Sequence, residues 1–205
     1  MSTRAHSTIP STSRDTRVAV ISASIRDGRI GPAIAQWVTT TVSQIDTTTD
    51  AGVEVDLIDL ANVVLPDDSQ LYPGGGPRSE VAARIEAADA FVLVTPEYNH
   101  SYPASLKRLI DWHYREWMLK PAAIVAYGVH GGHAAIEHLR GVLAELNMVT
   151  TRRVLGLPEP WKTLNAGGRF APDEGTTRRL AGMLAELAWW ADVLTEARTS
   201  RPFPR

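Results

Sequence analysis

The sequence predicts a doubly wound α/β sandwich of three layers, a parallel sheet covered by helices on both faces. Two observations carry this. Short continuous apolar runs recur along the chain, each the length of one buried strand, and the segments between them place apolar residues at helical spacing. Alternation of this kind yields a parallel sheet joined by right-handed crossovers. A length of 205 residues allows one ordinary domain, and 44% hydrophobic with 21% charged residues is enough to build its core.

Taken in order, Arg17 to Ser24 (RVAVISAS) is a β-branched run closed by small residues, the pattern of a strand buried on both faces. A helix follows from Gly31, with Ile34, Val38, Val42 and Ile45 on one side; Pro32 is tolerated in its first turn, where a missing donor costs nothing. The Thr-rich stretch Asp46 to Gly52 reads as a loop. Val53 to Leu60 (VEVDLIDL) alternates apolar and acidic residues and belongs at or near a sheet edge. Leu65 to Pro77 contains Pro66, Pro73, Gly74, Gly75, Gly76 and Pro77, and is a loop long enough to be functional. A helix begins at Ser79, with Val81, Ile85 and Ala88 on one face, and leads to a strand from Ala90 to Thr95 (AFVLVT). Ala104 to Trp112 is helical by spacing, Ala122 to Tyr127 is a third buried strand, and Ala134 to Leu146 is a helix with Ile136, Leu139, Leu143 and Leu146 inward. A fifth strand is expected near Val149 to Leu155. Leu180, Leu184, Leu187, Ala191 and Leu194 mark a long C-terminal helix, with Trp189 and Trp190 partly on the same stripe.

Composition narrows the functional classes. Twenty-one basic against twenty-three acidic residues, net -2, gives no field of the kind that gathers nucleic acid or anionic membrane. No cysteine is present, which removes disulfides, thiolate metal sites and cysteine nucleophiles, so any redox chemistry must come from a bound cofactor. The longest apolar runs fall far short of the roughly 18 to 20 residues that span a bilayer, and residues 1–16, with eight Ser or Thr, lack the apolar stretch of a secretory signal. The expected organisation is a disordered tail over 1–16, an ordered unit over 17–198 and a short tail over 199–205, in a cytoplasmic protein.

In doubly wound sheets ligands bind beyond the carboxyl ends of the strands, where strand order reverses. Three loops leave buried strands at that edge. The first (SASIRDGRIG) joins a strand to a helix start and supplies Ser22, Ser24, Arg26, Arg29, Ile30 and Gly31; free amides, hydroxyls and a guanidinium make it an anion site, or else a capping turn with solvated arginines. It has neither the GxGxxG nor the GxxxxGK[ST] pattern of common nucleotide loops. The second (TPEYNHSYPASLKRLIDW) sets Pro96, Glu97, Tyr98, Asn99 and His100 after the third strand, where a planar ligand can lie with Tyr98 packed against it; the plainer reading is a helix-entry turn with Tyr98 and Tyr102 in the core. The third (YGVHGGHAAIEHLR) carries Gly128, His130, Gly131 and Gly132, glycines that let backbone approach a ligand or simply form the turn. His130, His133 and His138 lack the further ligands of a zinc site, so no metal is expected.

From about Arg17 to Leu155 these features together resemble the NADPH-dependent FMN reductases, a flavodoxin-like family that includes quinone and azo-dye reductases. The long string TPEYNHSYPASLKRLIDW is the most specific part of the match. The first loop departs from the family's GSxRxxSxN, with Arg29 and Gly31 where Ser and Asn are usual, and His130 stands where Ser often precedes GG. The resemblance implies five parallel strands in the order 2-1-3-4-5. It implies FMN at the switch point, its phosphate held by Ser24, Arg26 and nearby amides, its ring flanked by Pro96 to Asn99, and its pyrimidine edge met by Gly128 to Gly132. Donors at that edge favour the negative charge of a reduced flavin.

The implied activity is hydride transfer from NADPH to bound FMN and on to a small-molecule acceptor, with no protein acid, base or nucleophile required. Arg29, His130 and the loop around Tyr72 are candidates for contacting NADPH or covering the flavin. The family implies a homodimer or homotetramer, with Trp112, Tyr114 and Trp117 either at the interface or packed within the chain. The competing readings are an electron carrier or redox-sensing flavoprotein that does not oxidise NADPH, and a flavin-free binding module.

Overall fold

The computed structural model describes residues 14–45 and 52–204. Most of the expected Ser/Thr-rich tail, and the Thr-rich loop except Gly52, lie outside the described residues. The strands are β1 (Thr16–Ser22), β2 (Val53–Asp59), β3 (Ala90–Pro96), β4 (Pro121–Gly128), β5 (Val149–Thr150) and β6 (Leu155–Pro158). Between and after them run α1 (Gly31–Val42), α2 (Ala82–Ala87), α3 (Ala104–Trp112), α4 (His133–Glu145) and α5 (Glu174–Ser200). All pairings are parallel, in the order β2-β1-β3-β4-β5, with β6 also paired to β4.

Burial follows the sequence pattern. Every residue of β3 is buried, as are residues 18–22 of β1 and 121–127 of β4, because helices cover both faces of these central strands. On one side α1 and α5 close over Val18, Val20, Val92, Val94 and Val125; on the other, α2, α3 and α4 cover Ala19, Ile21, Phe91, Leu93 and Ile124. The acidic alternation of β2 matches its place at the sheet edge, where only Ile58 is fully buried. Trp112 and Trp117 are 1% and 0% exposed, so both pack within the chain.

Four local expectations are corrected. The fifth strand is two: Ala122 faces Thr150 and Val125 faces Leu155, so three steps along β4 oppose five along its neighbour. The surplus residues bulge out and are held there. Arg140 donates to Thr150 Oγ1 and to the carbonyls of Thr151 and Arg152, while Glu186 accepts from the amides of Arg152 and Arg153. The helix expected from Ser79 is only α2, six residues from Ala82, because Ser79 is engaged sideways by His113 (Oγ to Nε2, 2.7 Å). Ile45 lies past the end of α1, half-buried. Trp189 is 51% exposed: it sits about 200° around the helix from Leu187, opposite the buried stripe.

Candidate active site at the carboxyl edge of the sheet

The first loop begins where β1 ends. Ser22 and Ser24 are 1% exposed, whereas Ile25, Arg26, Asp27 and Gly28 are exposed. The helix it feeds, α1, has Ile30 at its N-cap, a residue with no side-chain acceptor to offer, so the amide end of α1 is uncapped. A free helix start of this kind attracts an anion. Arg29 faces elsewhere. Its guanidinium grips Asp59 at the end of β2 with two bonds of 2.6 and 2.8 Å and donates to Ser24 O at 2.9 Å, and the Asp59 bond raises its pKa. The side chain therefore braces the loop across β1 and β2.

Two buried hydroxyls form the floor beneath this loop. Ser22 Oγ and Tyr127 Oη, from the ends of β1 and β4, have no hydrogen-bond partner. Both lie against Gly31, where a Cβ would stand 2.8 Å from Tyr127 Oη and 3.3 Å from Ser22 Oγ. Burial pushes the Tyr127 phenol well above its usual pKa, so the group is neutral and a donor. Unsatisfied polar atoms packed against an uncapped helix start mark a place built around a further polar group.

The second loop ties the site together. Pro96 is the buried last residue of β3, and Glu97 N–H donates to Tyr127 O at 2.8 Å. The Glu97 carboxylate accepts from Ala134 N–H at 2.9 Å, capping α4. Asn99 (φ 51°) and His100 (φ 62°) form the centre of a tight turn closed by paired Tyr98–Ser101 backbone bonds of 2.7 and 3.0 Å. Two consecutive left-handed residues define a type I′ turn, which asparagine tolerates well. Tyr98 Oη lies 3.0 Å from Ser24 Oγ, and the Arg26 guanidinium stacks 3.6 Å from the Tyr98 ring centroid. Ser105 Oγ donates to Ala23 O at 2.6 Å, fixing the end of β1 to α3.

In the third loop, Gly131 (φ 86°) and Gly132 (φ 78°) are left-handed, and a Cβ on Gly132 would meet Ala126 Cβ at 2.6 Å. Glycine is required there. The Gly131 N–H closes the turn onto Gly128 O at 3.3 Å, and Gly128 lies beside Glu97. His130 is exposed. The loop around Tyr72 is pinned from α3: Arg108 donates to Asp68 and to the carbonyls of Leu65 and Pro66, and Trp112 Nε1 donates to Pro77 O at 2.9 Å.

The structure thus gathers Ser24, Arg26, Ile30, Gly31, Pro96, Glu97 and Tyr98 tightly, sets Gly128, Gly131 and Gly132 beside them, and leaves Asn99 and His130 at the open rim. The sequence reading missed Asp59, Tyr127 and Ser105 as partners. The first two carried a signal, each being a polar residue at the carboxyl end of a strand. No three His, Asp or Glu side chains gather as a metal site among the described residues. A cavity of about 690 Å³ opens at the opposite edge, but its Arg14 and Arg198 both pair with Asp89 and Lys120 caps two backbone carbonyls.

The chain is similar to known proteins in sequence and in fold. The chain is 37% identical over 144 residues to the NAD(P)H-dependent FMN reductase LOT6 of Saccharomyces cerevisiae, covering 64% of this chain and 75% of that one. It is 30% identical over 184 residues to a probable NADPH:quinone oxidoreductase of Oryza sativa, covering 85% and 88%. Among solved structures it superposes on FerB, a flavoenzyme NAD(P)H:(acceptor) oxidoreductase from Paracoccus denitrificans, with a TM-score of 0.69 at 26% identity, covering 87% and 98%. The family model for NADPH-dependent FMN reductase matches residues 16–162, from the first residue of β1 to the turn after β6, and the chain belongs to that family of oxidoreductases.

Proposed function

We propose that the protein is an FMN-containing reductase that takes a hydride from NADPH or NADH and delivers it to a small acceptor such as a quinone, an azo compound or free flavin. The observation that carries this reading is the convergence, on the uncapped start of α1, of Ser24, Arg26 and two buried hydroxyls without partners. That donor set fits a phosphate monoester, and the PEYN turn and the glycine loop lie beside it at the edge where a planar ring would sit. Bound FMN supplies the hydride acceptance and donation itself.

The chain's own residues bind and orient. Ser24, Arg26 and the amides up to Gly31 hold the phosphate; Arg29, locked on Asp59, keeps the loop in place. Pro96 to Asn99 flank the ring. The Gly128–Gly132 backbone meets its pyrimidine edge, and His130, on the open side, is placed to touch a nicotinamide substrate or an acceptor. No side chain is assigned a covalent or proton-transfer role. Exposed Ile25, Tyr72 and Val129, 55–60% accessible, sit on loops at this edge, and Trp161, 46% accessible, lies in the short 3-10 turn after β6, which supports a homodimer or homotetramer that covers the site. No helix among the described residues is long and apolar enough to cross a membrane, and the reading places the protein in the cytoplasm, where reduced nicotinamide is generated.

Initial rates of FMN-loaded protein test the reading, with NADPH and NADH each varied against a quinone, an azo dye and free FMN. Parallel double-reciprocal lines with at least one acceptor are expected. Protein that retains FMN but oxidises neither nucleotide is an electron carrier instead, and protein that binds no FMN overturns the assignment.

A further inference from the structure

The turn after β3 is strained, and its tip is unpaired. Asn99 and His100 are both left-handed, at φ 51° and 62°, a conformation that costs any residue carrying a side chain. The Tyr98–Ser101 backbone bonds close the turn from within, yet the N–H groups of Asn99 and His100 donate to no acceptor among the described residues. Such a turn presents those two amides in a fixed direction only if something outside it holds both of its ends.

The hold comes from α4, at two points one helical turn apart. The Ala134 amide, in the first turn of α4, donates to the Glu97 carboxylate at 2.9 Å, just before the strained pair. Four residues on, and so on the same face of the helix, His138 reaches the other end: its Nδ1 lies 3.0 Å from Ser101 Oγ. His138 is exposed, and this is the one hydrogen bond its ring makes among the described residues. We propose that His138 is a positioning residue for the flavin: acting through Ser101, it fixes the Asn99 and His100 amides toward the ring, where donors favour the negative charge of the reduced form. The consequence is a higher midpoint potential for bound FMN, with no change in how tightly oxidised FMN is held.

The inference rests on the FMN reading, in which this turn flanks the ring, and the two fail differently. Midpoint potentials of the FMN-loaded protein are read from its absorbance during reduction against a reference dye, and dissociation constants of oxidised FMN from flavin fluorescence. The set is wild type, His138→Ala, Ser101→Ala, the double variant and His138→Asn. His138→Ala is expected to bind oxidised FMN as wild type does, which also shows that it is folded, and reduced FMN about tenfold more weakly, a potential about 30 mV lower. Ser101→Ala and the double variant should match it, because all three remove the same bond. His138→Asn keeps a polar atom near the Nδ1 position and should recover most of the loss. A potential unchanged in His138→Ala overturns the inference. So does a double variant whose fall is the sum of the two single ones, or an equal weakening of oxidised and reduced FMN. A wild type that binds no FMN overturns the functional reading itself.

Discussion

At position 31 the missing side chain is a steric requirement. An alanine there would bring its Cβ to 2.8 Å from Tyr127 Oη, inside normal contact distance, with Ser22 Oγ at 3.3 Å behind it. Gly31→Ala is therefore expected to cost about 1–3 kcal/mol of stability, the range for overpacking a filled site. Tyr127→Phe in the same chain should recover most of it, since the colliding atom is the phenol oxygen. Tyr127→Phe alone should be close to neutral, because that oxygen has no partner to lose. Urea unfolding of the three variants checks this; a double variant no better than Gly31→Ala would show that the collision lies elsewhere. The same contact explains how the departure from the family's Asn at this position is accommodated: the phenol of Tyr127 fills the space a side chain would need.

Among the elements, the segment from Thr95 to Trp112 does the most connecting. Tyr98 and Ser105 reach the first loop, Glu97 caps α4, and Arg108 and Trp112 fasten the Tyr72 loop. One polar residue after another is therefore fixed in type by a different neighbour, which is the physical reason this string was the most specific feature of the sequence. Glu97 illustrates it. It was legible as a site residue, yet its carboxylate points at the start of α4, so Glu97→Gln is expected to lose about 0.3–1 kcal/mol from the helix dipole, and Glu97→Ala more. Denaturant midpoints of the two variants check the order, and a Gln variant equal to wild type would remove the charge from the account. Other local features could not be read from the chain. The break between β5 and β6 is dictated by Arg140 and Glu186 reaching in from α4 and α5, and nothing within Val149 to Leu155 announces it. The length of α2 is likewise set by His113, which follows α3 and holds Ser79 aside.

For the whole molecule, the alternation of buried strands with helices was legible because three central strands are covered on both faces and so read as unbroken apolar runs. The carboxyl edge could be located from that alone. What could not be read were the ties across it, such as Arg29 to Asp59, since a polar strand end does not name its partner. The opposite edge is held by a charged staple in which Asp89, 4% exposed, receives Arg14, Arg198 and the Arg17 amide. Beside it Lys120 donates to Ile85 O and Glu86 O, and burial pushes its pKa down from 10.5 to about 8. A lysine depressed in the folded state makes the unfolded chain bind more protons between those two values. Its burial cost is thus fully present below pH 8 and is relieved as pH rises toward 10.5, by up to about 3 kcal/mol. The unfolding free energy of wild type minus that of Lys120→Met should accordingly climb across that window. A flat difference would mean that the amine keeps its ordinary pKa.

The central claim is that the carboxyl edge holds FMN in a form that NADPH reduces directly. Mixing FMN-loaded protein with NADPH in the absence of oxygen tests it most directly, followed by its visible flavin absorbance in a stopped-flow instrument. That absorbance is expected to bleach within the time of a catalytic turnover and to return when a quinone is added. Absorbance that persists, with FMN bound and NADPH in excess, would contradict it.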